Sequence, residues 1–105
     1  MTIDNAMLRV EDIYTGKALA CPLYLESEIR PLAASIDKKG LIYPLVVWKD
    51  GGKHRLIDGH KRLQAIQYLM ATSKLACARW KRDGVPVRVV HGTFEEAQAL
   101  TKETP

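Results

Sequence analysis

Residues 56–70 read LIDGHKRLQAIQYLM, a strand end running through a turn into an amphipathic helix. Leu63, Ile66, Leu69 and Met70 recur at helical spacing on one side. Asp58 is placed to cap the helix, because a carboxylate there accepts hydrogen bonds from the free N–H groups of the first turn. His60, Lys61 and Arg62 follow at once. A helix N-terminus carries partial positive charge, so each cation there costs about 0.3–1 kcal/mol. A segment that breaks a local rule in this way points to a compensating partner.

An anion is the natural one. Gly59 leaves the backbone bare where the free amides of the helix point, and such amides together with the helix dipole bind phosphate. Lys61 and Arg62 add charge-assisted contacts, and His60 orients the phosphate. The competing reading is that these side chains curl into water, where screening makes the penalty small.

Working outward, PLVVWKDGGKHRLIDG (44–59) reads as a hairpin turning at Asp50-Gly51-Gly52. EIRPLAASIDKKG (28–40) reads as a helix with Ile29, Leu32, Ala33 and Ile36 at helical spacing. It is capped by Ser27 or Glu28, carries Pro31 in the first turn and stops at Gly40. MLRVEDIY (7–14) reads as a first strand, and TGKALACP (15–22) as a connection broken by Gly16 and Pro22. ATSKLACARWKRDG (71–84) extends the central helix or forms a second short one. VPVRVVH (85–91) is a strand, and TFEEAQALTKE (93–103) begins a helix with a Thr93…Glu96 capping box. The order predicts an α+β fold in which helices pack on a small mixed β-sheet, in one domain over residues 1–105.

The 105 residues are 47% hydrophobic and 27% charged, which is globular rather than disordered composition. No apolar run approaches the roughly 20 residues of a membrane helix, and no secretion signal opens the chain. A cytoplasmic protein without membrane contact is expected. Cys21 and Cys77 stand far apart, with no CxxC and no His at ligand spacing, so a disulfide framework or zinc site is not expected and two buried thiols are. The net charge of +4 is uneven: residues 1–35 carry −2, residues 36–70 carry +4 and residues 71–105 carry +2. That asymmetry suggests an anionic partner.

LAASIDKKGLIYPLVVW followed by HRLIDGHKRLQAIQYL resembles the N-terminal domain of the ParB partition proteins, through Ser35, Ile36, Gly40, Pro44, Leu45, Val47, Gly59, Arg62 and Ala65. VPVRVVHGTFEEAQAL is similar to the family's next strand and helix. The resemblance implies the ParB/sulfiredoxin fold and a nucleoside triphosphate, CTP or ATP, with or without Mg2+. It implies a site lined by Gly59, His60, Lys61 and Arg62, with Gly40 and the loop through Tyr43 and Pro44 opposite. The setting it implies is plasmid, chromosome or phage DNA maintenance. The family's Glu-Arg in the turn is His60-Lys61 here. The family's later ENxxR box, DNA reader and dimerisation domain have no counterpart in residues 1–105, so the expectation is either a solitary small domain or a fragment of something larger.

Other chemistries remain open. Relatives with DGHHR in this turn suggest a small ATP-using enzyme, with Asp58 as base or metal holder and His60 at the phosphoryl group. A nuclease-like protein of the same fold is a second alternative. Sulfiredoxin chemistry is not expected, because the position after Gly59 is His60 and not cysteine. Lys53 and Arg55 in the hairpin, with Arg79, Lys81 and Arg82 around Trp80, would serve weak, non-specific DNA binding. Trp80 is expected at the core edge, and His54 and His91 are expected to be plain strand residues. The reading leaves a homodimer open.

Overall fold

A computed structural model describes residues 1–15 and 24–102. Gly16 and Pro22, read as breakers of the 15–22 connection, and Cys21 lie outside the described residues. The elements are β1 (Thr2–Leu8), a 3-10 turn (Val10–Asp12), β2 (Ile13–Tyr14), α1 (Glu26–Lys39), β3 (Leu45–Asp50), β4 (Lys53–Asp58), α2 (His60–Thr72), α3 (Lys74–Asp83), β5 (Val85–His91) and α4 (Phe94–Lys102). The strands form one mixed sheet in the order β1-β5-β3-β4-β2. The pairs β1–β5 and β3–β4 are antiparallel, whereas β3–β5 and β2–β4 are parallel. The expected α+β fold is the one observed.

Alternation along the strands separates two layers. Leu45, Val47, Val87 and Val89 face α1, α2 and α3, and the core forms there with Ile29, Ala33, Ile36, Leu63, Ile66, Leu69 and Trp80. Val46, Trp48, Arg88 and Val90 lie on the reverse face. Part of that face is covered by α4: Val90 and Ala97 are fully buried, and the Trp48 and Phe94 rings sit 5.1 Å apart. Trp48 Nε1 donates to the Gly92 carbonyl at 3.0 Å, which fixes the entry to α4.

Several boundaries moved for identifiable reasons. The strand expected over 7–14 is two strands at opposite sheet edges, separated by a turn in which the Asp12 N–H donates to the Arg9 carbonyl at 3.0 Å. Polar Asp4 and Asn5 belong to β1 because the edge ladder with β5 holds them there, although they lack strand-like side chains. Helix α1 starts at Glu26, and Glu28 accepts the Leu25 N–H at 3.0 Å instead of being the cap itself. Pro31 therefore falls in the second turn, where its missing N–H leaves the carbonyl of exposed Ser27 to solvent. Residues 71–72 finish α2 and Lys74–Asp83 form a second helix, because the backbone turns extended at Ser73, whose hydroxyl accepts the Ala76 N–H at 3.2 Å. The Thr93…Glu96 capping box is reciprocal as expected, with bonds of 2.9 and 3.1 Å. Cys77 is only half-buried.

The β4–α2 junction corrects the expected capping. Asp58 is the last residue of β4, and Gly59 is the N-cap with φ of 103° and no side-chain cap bond. A Cβ on Gly59 would lie 2.5 Å from Leu45 Cδ2, so the buried glycine is demanded by the fold itself. Gly59→Ala is expected to lower stability by about 1–3 kcal/mol through backbone strain and that clash. Thermal denaturation measures it; Leu45→Ala itself opens a cavity in the core, so the steric share is read as the coupling energy of the Gly59→Ala and Leu45→Ala double-mutant cycle.

Candidate functional site

The register of β4 decides what the reverse face presents. Leu56 pairs with Val47, yet Asp58 pairs with Val46, so Ile57 is an extra residue in the ladder. This bulge turns Asp58 onto the face of Val46, where strict alternation would have sent it toward the helical layer. Four residues later, Arg62 returns to the same place. Its Nη1 donates to the carbonyls of Tyr43 at 2.6 Å and Pro44 at 3.1 Å, and its Nη2 lies 3.6 Å from Asp58 Oδ2. The guanidinium thereby fastens the loop entering β3 to the first turn of α2.

Beside this clasp lies a hollow of about 410 Å³, within the usual range of roughly 300–1,000 Å³ for ligand sites. Ile3, Val46, Val90 and Leu100 supply apolar lining, and Tyr43, Pro44, Asp58, Arg62 and Arg88 supply the rim and the polar groups. Of the residues singled out in the sequence, the fold brings Tyr43, Pro44, Asp58 and Arg62 together here. Arg88 was missed: it lies in an apolar strand motif, and its place beside Val46 comes only from the parallel β3–β5 pairing.

The rest of the basic cluster diverges. His60 lines a separate recess of about 180 Å³ with Thr15, Arg55, Leu56, Ile57, Phe94 and Gln98. Burial pushes its pKa below the ordinary 6.5, and the nearby Asp58 carboxylate opposes that only in part. The Lys61 ammonium sits 5.7 Å from the centre of the Tyr24 ring. Gly40 ends α1 with φ of 80°, and its N–H donates to the Ile36 carbonyl at 2.8 Å. The unusual helix start is thus compensated from within: one side chain is held toward neutrality, one lies over a ring, and one is matched by a carboxylate and two carbonyls. Asp58 and His60, the two residues considered for catalysis, line different cavities.

The residues considered for DNA contact fall into two groups. Lys53 lies over the Tyr14 ring at 4.7 Å and Arg55 over Phe94 at 5.3 Å, on the β4 side of the sheet. Arg79, Lys81 and Arg82 are on α3, where Arg82 pairs with Asp83 at 3.0 Å. Trp80 is 6% exposed and belongs to the core, so it offers no stacking face for a base. A further hollow of about 520 Å³ beside it is lined by Arg9, Val10, Glu11, Met70, Trp80 and Lys81. Arg9 and Glu11 sit 3.6 Å apart there and offset each other, so it matches a phosphate less well. Among the described residues no group of three or more His, Cys, Asp or Glu could hold a metal ion. No described helix is long and apolar enough to cross a membrane.

Two outcomes follow from this geometry. Arg62→Lys keeps the charge but loses the forked donation to two carbonyls, so hydrogen exchange at residues 41–43 should accelerate while α1 stays protected. His60 takes up a proton less readily when folded than unfolded, so stability rises with pH across this window. Its contribution is full above 6.5 and is lost as pH falls below that value. Denaturant melts at pH 7.5 and 5.5 should show a smaller acid loss for His60→Asn than for the parent chain.

Comparison with known proteins places this geometry. Over 60 residues the chain is 33% identical to the chromosome-partitioning protein ParB of Myxococcus xanthus, covering 57% of this chain and 20% of that protein. Over 70 residues it is 31% identical to the nucleoid occlusion protein of Oceanobacillus iheyensis, covering 65% of this chain and 24% of that protein. The matches thus span about a fifth to a quarter of those curated relatives. The fold is shared with C-terminally truncated ParB from Caulobacter crescentus complexed with CTP-gamma-S, at TM-score 0.65 and 17% identity over 92% of this chain and 49% of that one. It is shared equally with sulfiredoxin from Arabidopsis thaliana, at TM-score 0.67 and 20% identity over 91% and 94%. Residues 2–101, nearly the whole chain, match the ParB N-terminal domain, and the protein belongs to that family.

Proposed function

We propose that this domain binds a nucleoside triphosphate in the hollow beside the first turn of α2, as part of a protein of the chromosome-partitioning or nucleoid-occlusion kind. The observation that carries the reading is the hollow itself, with the guanidinium groups of Arg62 and Arg88 at an apolar floor of Val46 and Val90. An apolar floor suits a base or ribose face, and guanidinium groups suit phosphate. The family contributes a second support, since the Caulobacter crescentus ParB of the same fold is complexed with CTP-gamma-S.

In this reading Arg62 and the first amides of α2 meet the phosphates, and Tyr43 and Pro44 form the facing wall. Lys61 reaches the phosphate tail from outside the hollow by leaving the Tyr24 ring, while Gly59 and Gly40 let the backbone turn close by. His60, near neutrality, serves as a hydrogen-bonding side chain. A Mg2+ would have one protein carboxylate, Asp58, so it would arrive with the triphosphate and take most of its oxygens from phosphate and water. Reduction of the sulfiredoxin type has no nucleophile in this turn, which carries His60.

Thermal unfolding with CTP, ATP or GTP, each with and without Mg2+, tests the reading. A true ligand at a hundredfold excess over its dissociation constant should add about 2.7 kcal/mol of stability. The absence of any shift from all three nucleotides up to millimolar concentration sinks it. A salt-sensitive gel shift of duplex DNA unaffected by nucleotide would move the function to direct DNA binding.

A further inference from the structure

The geometry points to Arg88 as a phosphate-binding residue of the hollow, acting across the sheet from Arg62 and selecting a polyphosphate over a monophosphate. This rests on the nucleotide reading of the same cavity and goes beyond it by naming what reads the length of the phosphate chain.

Register places the groups. Arg88 pairs with Val46, and Val46 pairs with Asp58, so the three stand in one row across β5, β3 and β4 on the reverse face. At about 4.8 Å per strand, the backbones of Arg88 and Asp58 are roughly 10 Å apart, with Val46 between them. At the β4 end the charge is already matched: Asp58 faces Arg62, and two loop carbonyls take Arg62 Nη1. At the β5 end it is not. Arg88 is exposed, and among the described residues it makes no hydrogen bond, ion pair or ring contact. Its partner in β1 is the uncharged Asn5, and the residues that line the hollow beside it, Ile3, Val46 and Val90, are apolar.

The hollow's uncompensated cation is therefore Arg88, on an interior strand rather than a sheet edge. A guanidinium binds phosphate oxygens in a fork. A phosphate chain lying over Val46 meets Arg88 at one end and the partial positive charge of the α2 N-terminus, with Arg62, at the other. A single phosphate reaches only one of these ends.

Isothermal titration of the chain and of Arg88→Gln with CTP, CMP, ATP, AMP and inorganic tripolyphosphate tests this. The parent chain should prefer the triphosphates and tripolyphosphate. Arg88→Gln should weaken them by roughly tenfold to a hundredfold and leave the monophosphates nearly unchanged. Arg88→Lys should fall between, and the unliganded melting temperature of both variants should match the parent. Nucleotide binding with the same affinity and the same chain-length preference in Arg88→Gln overturns the role of Arg88 and leaves the nucleotide reading standing. Tripolyphosphate binding that Arg88→Gln abolishes, without binding of any nucleotide, keeps Arg88 as an anion site and removes the nucleotide reading. No binding of either probe overturns both.

Discussion

One guanidinium organises the candidate site of this domain. Arg62 leaves the first turn of α2, meets Asp58 at the end of β4 and holds the carbonyls of Tyr43 and Pro44 at the entrance to β3. The β4–α2 junction and a loop 18 to 19 residues before Arg62 are tied at one point. Charge-assisted bonds of this kind are stronger than neutral ones, and the side chain is only 22% exposed, so solvent competes weakly. The clasp residues Tyr43, Pro44, Asp58 and Arg62 form one wall of the hollow on the reverse sheet face.

The clasp depends on two features of the backbone. The bulge at Ile57 brings Asp58 onto the reverse face. The left-handed Gly59 then lets the chain turn into α2 while Leu45 fills the space a side chain would need. With Asp58 and Arg62 matched, the electrostatics of the hollow pass to Arg88. The residue that most resembles a phosphate anchor in the sequence is thus also a structural brace, and among the described residues lining the hollow the cation without a partner, Arg88, stands two strands away.

Much of the architecture was legible along the chain. The hairpin around Asp50-Gly51-Gly52, the helix after Gly59 and the Thr93…Glu96 capping box each rest on contacts within a few residues, and each appears as read. Trp80, expected at the core edge, is a buried core residue. The first strand was misread because β1 is an edge strand whose residues are mostly exposed. Its conformation is imposed by the β5 ladder and leaves no hydrophobic alternation to detect.

For the candidate site the division is sharper. The chain by itself determined that a glycine and a basic run open α2 and that Tyr43 and Pro44 lie before β3, because these are matters of composition and local spacing. Only the tertiary structure decided where the side chains went. His60 turned to its own recess, Lys61 to the Tyr24 ring and Arg62 to the loop, while Arg88 joined the hollow. Those outcomes follow from strand register, one bulged residue and burial, which arise between segments that no sequence window contains together.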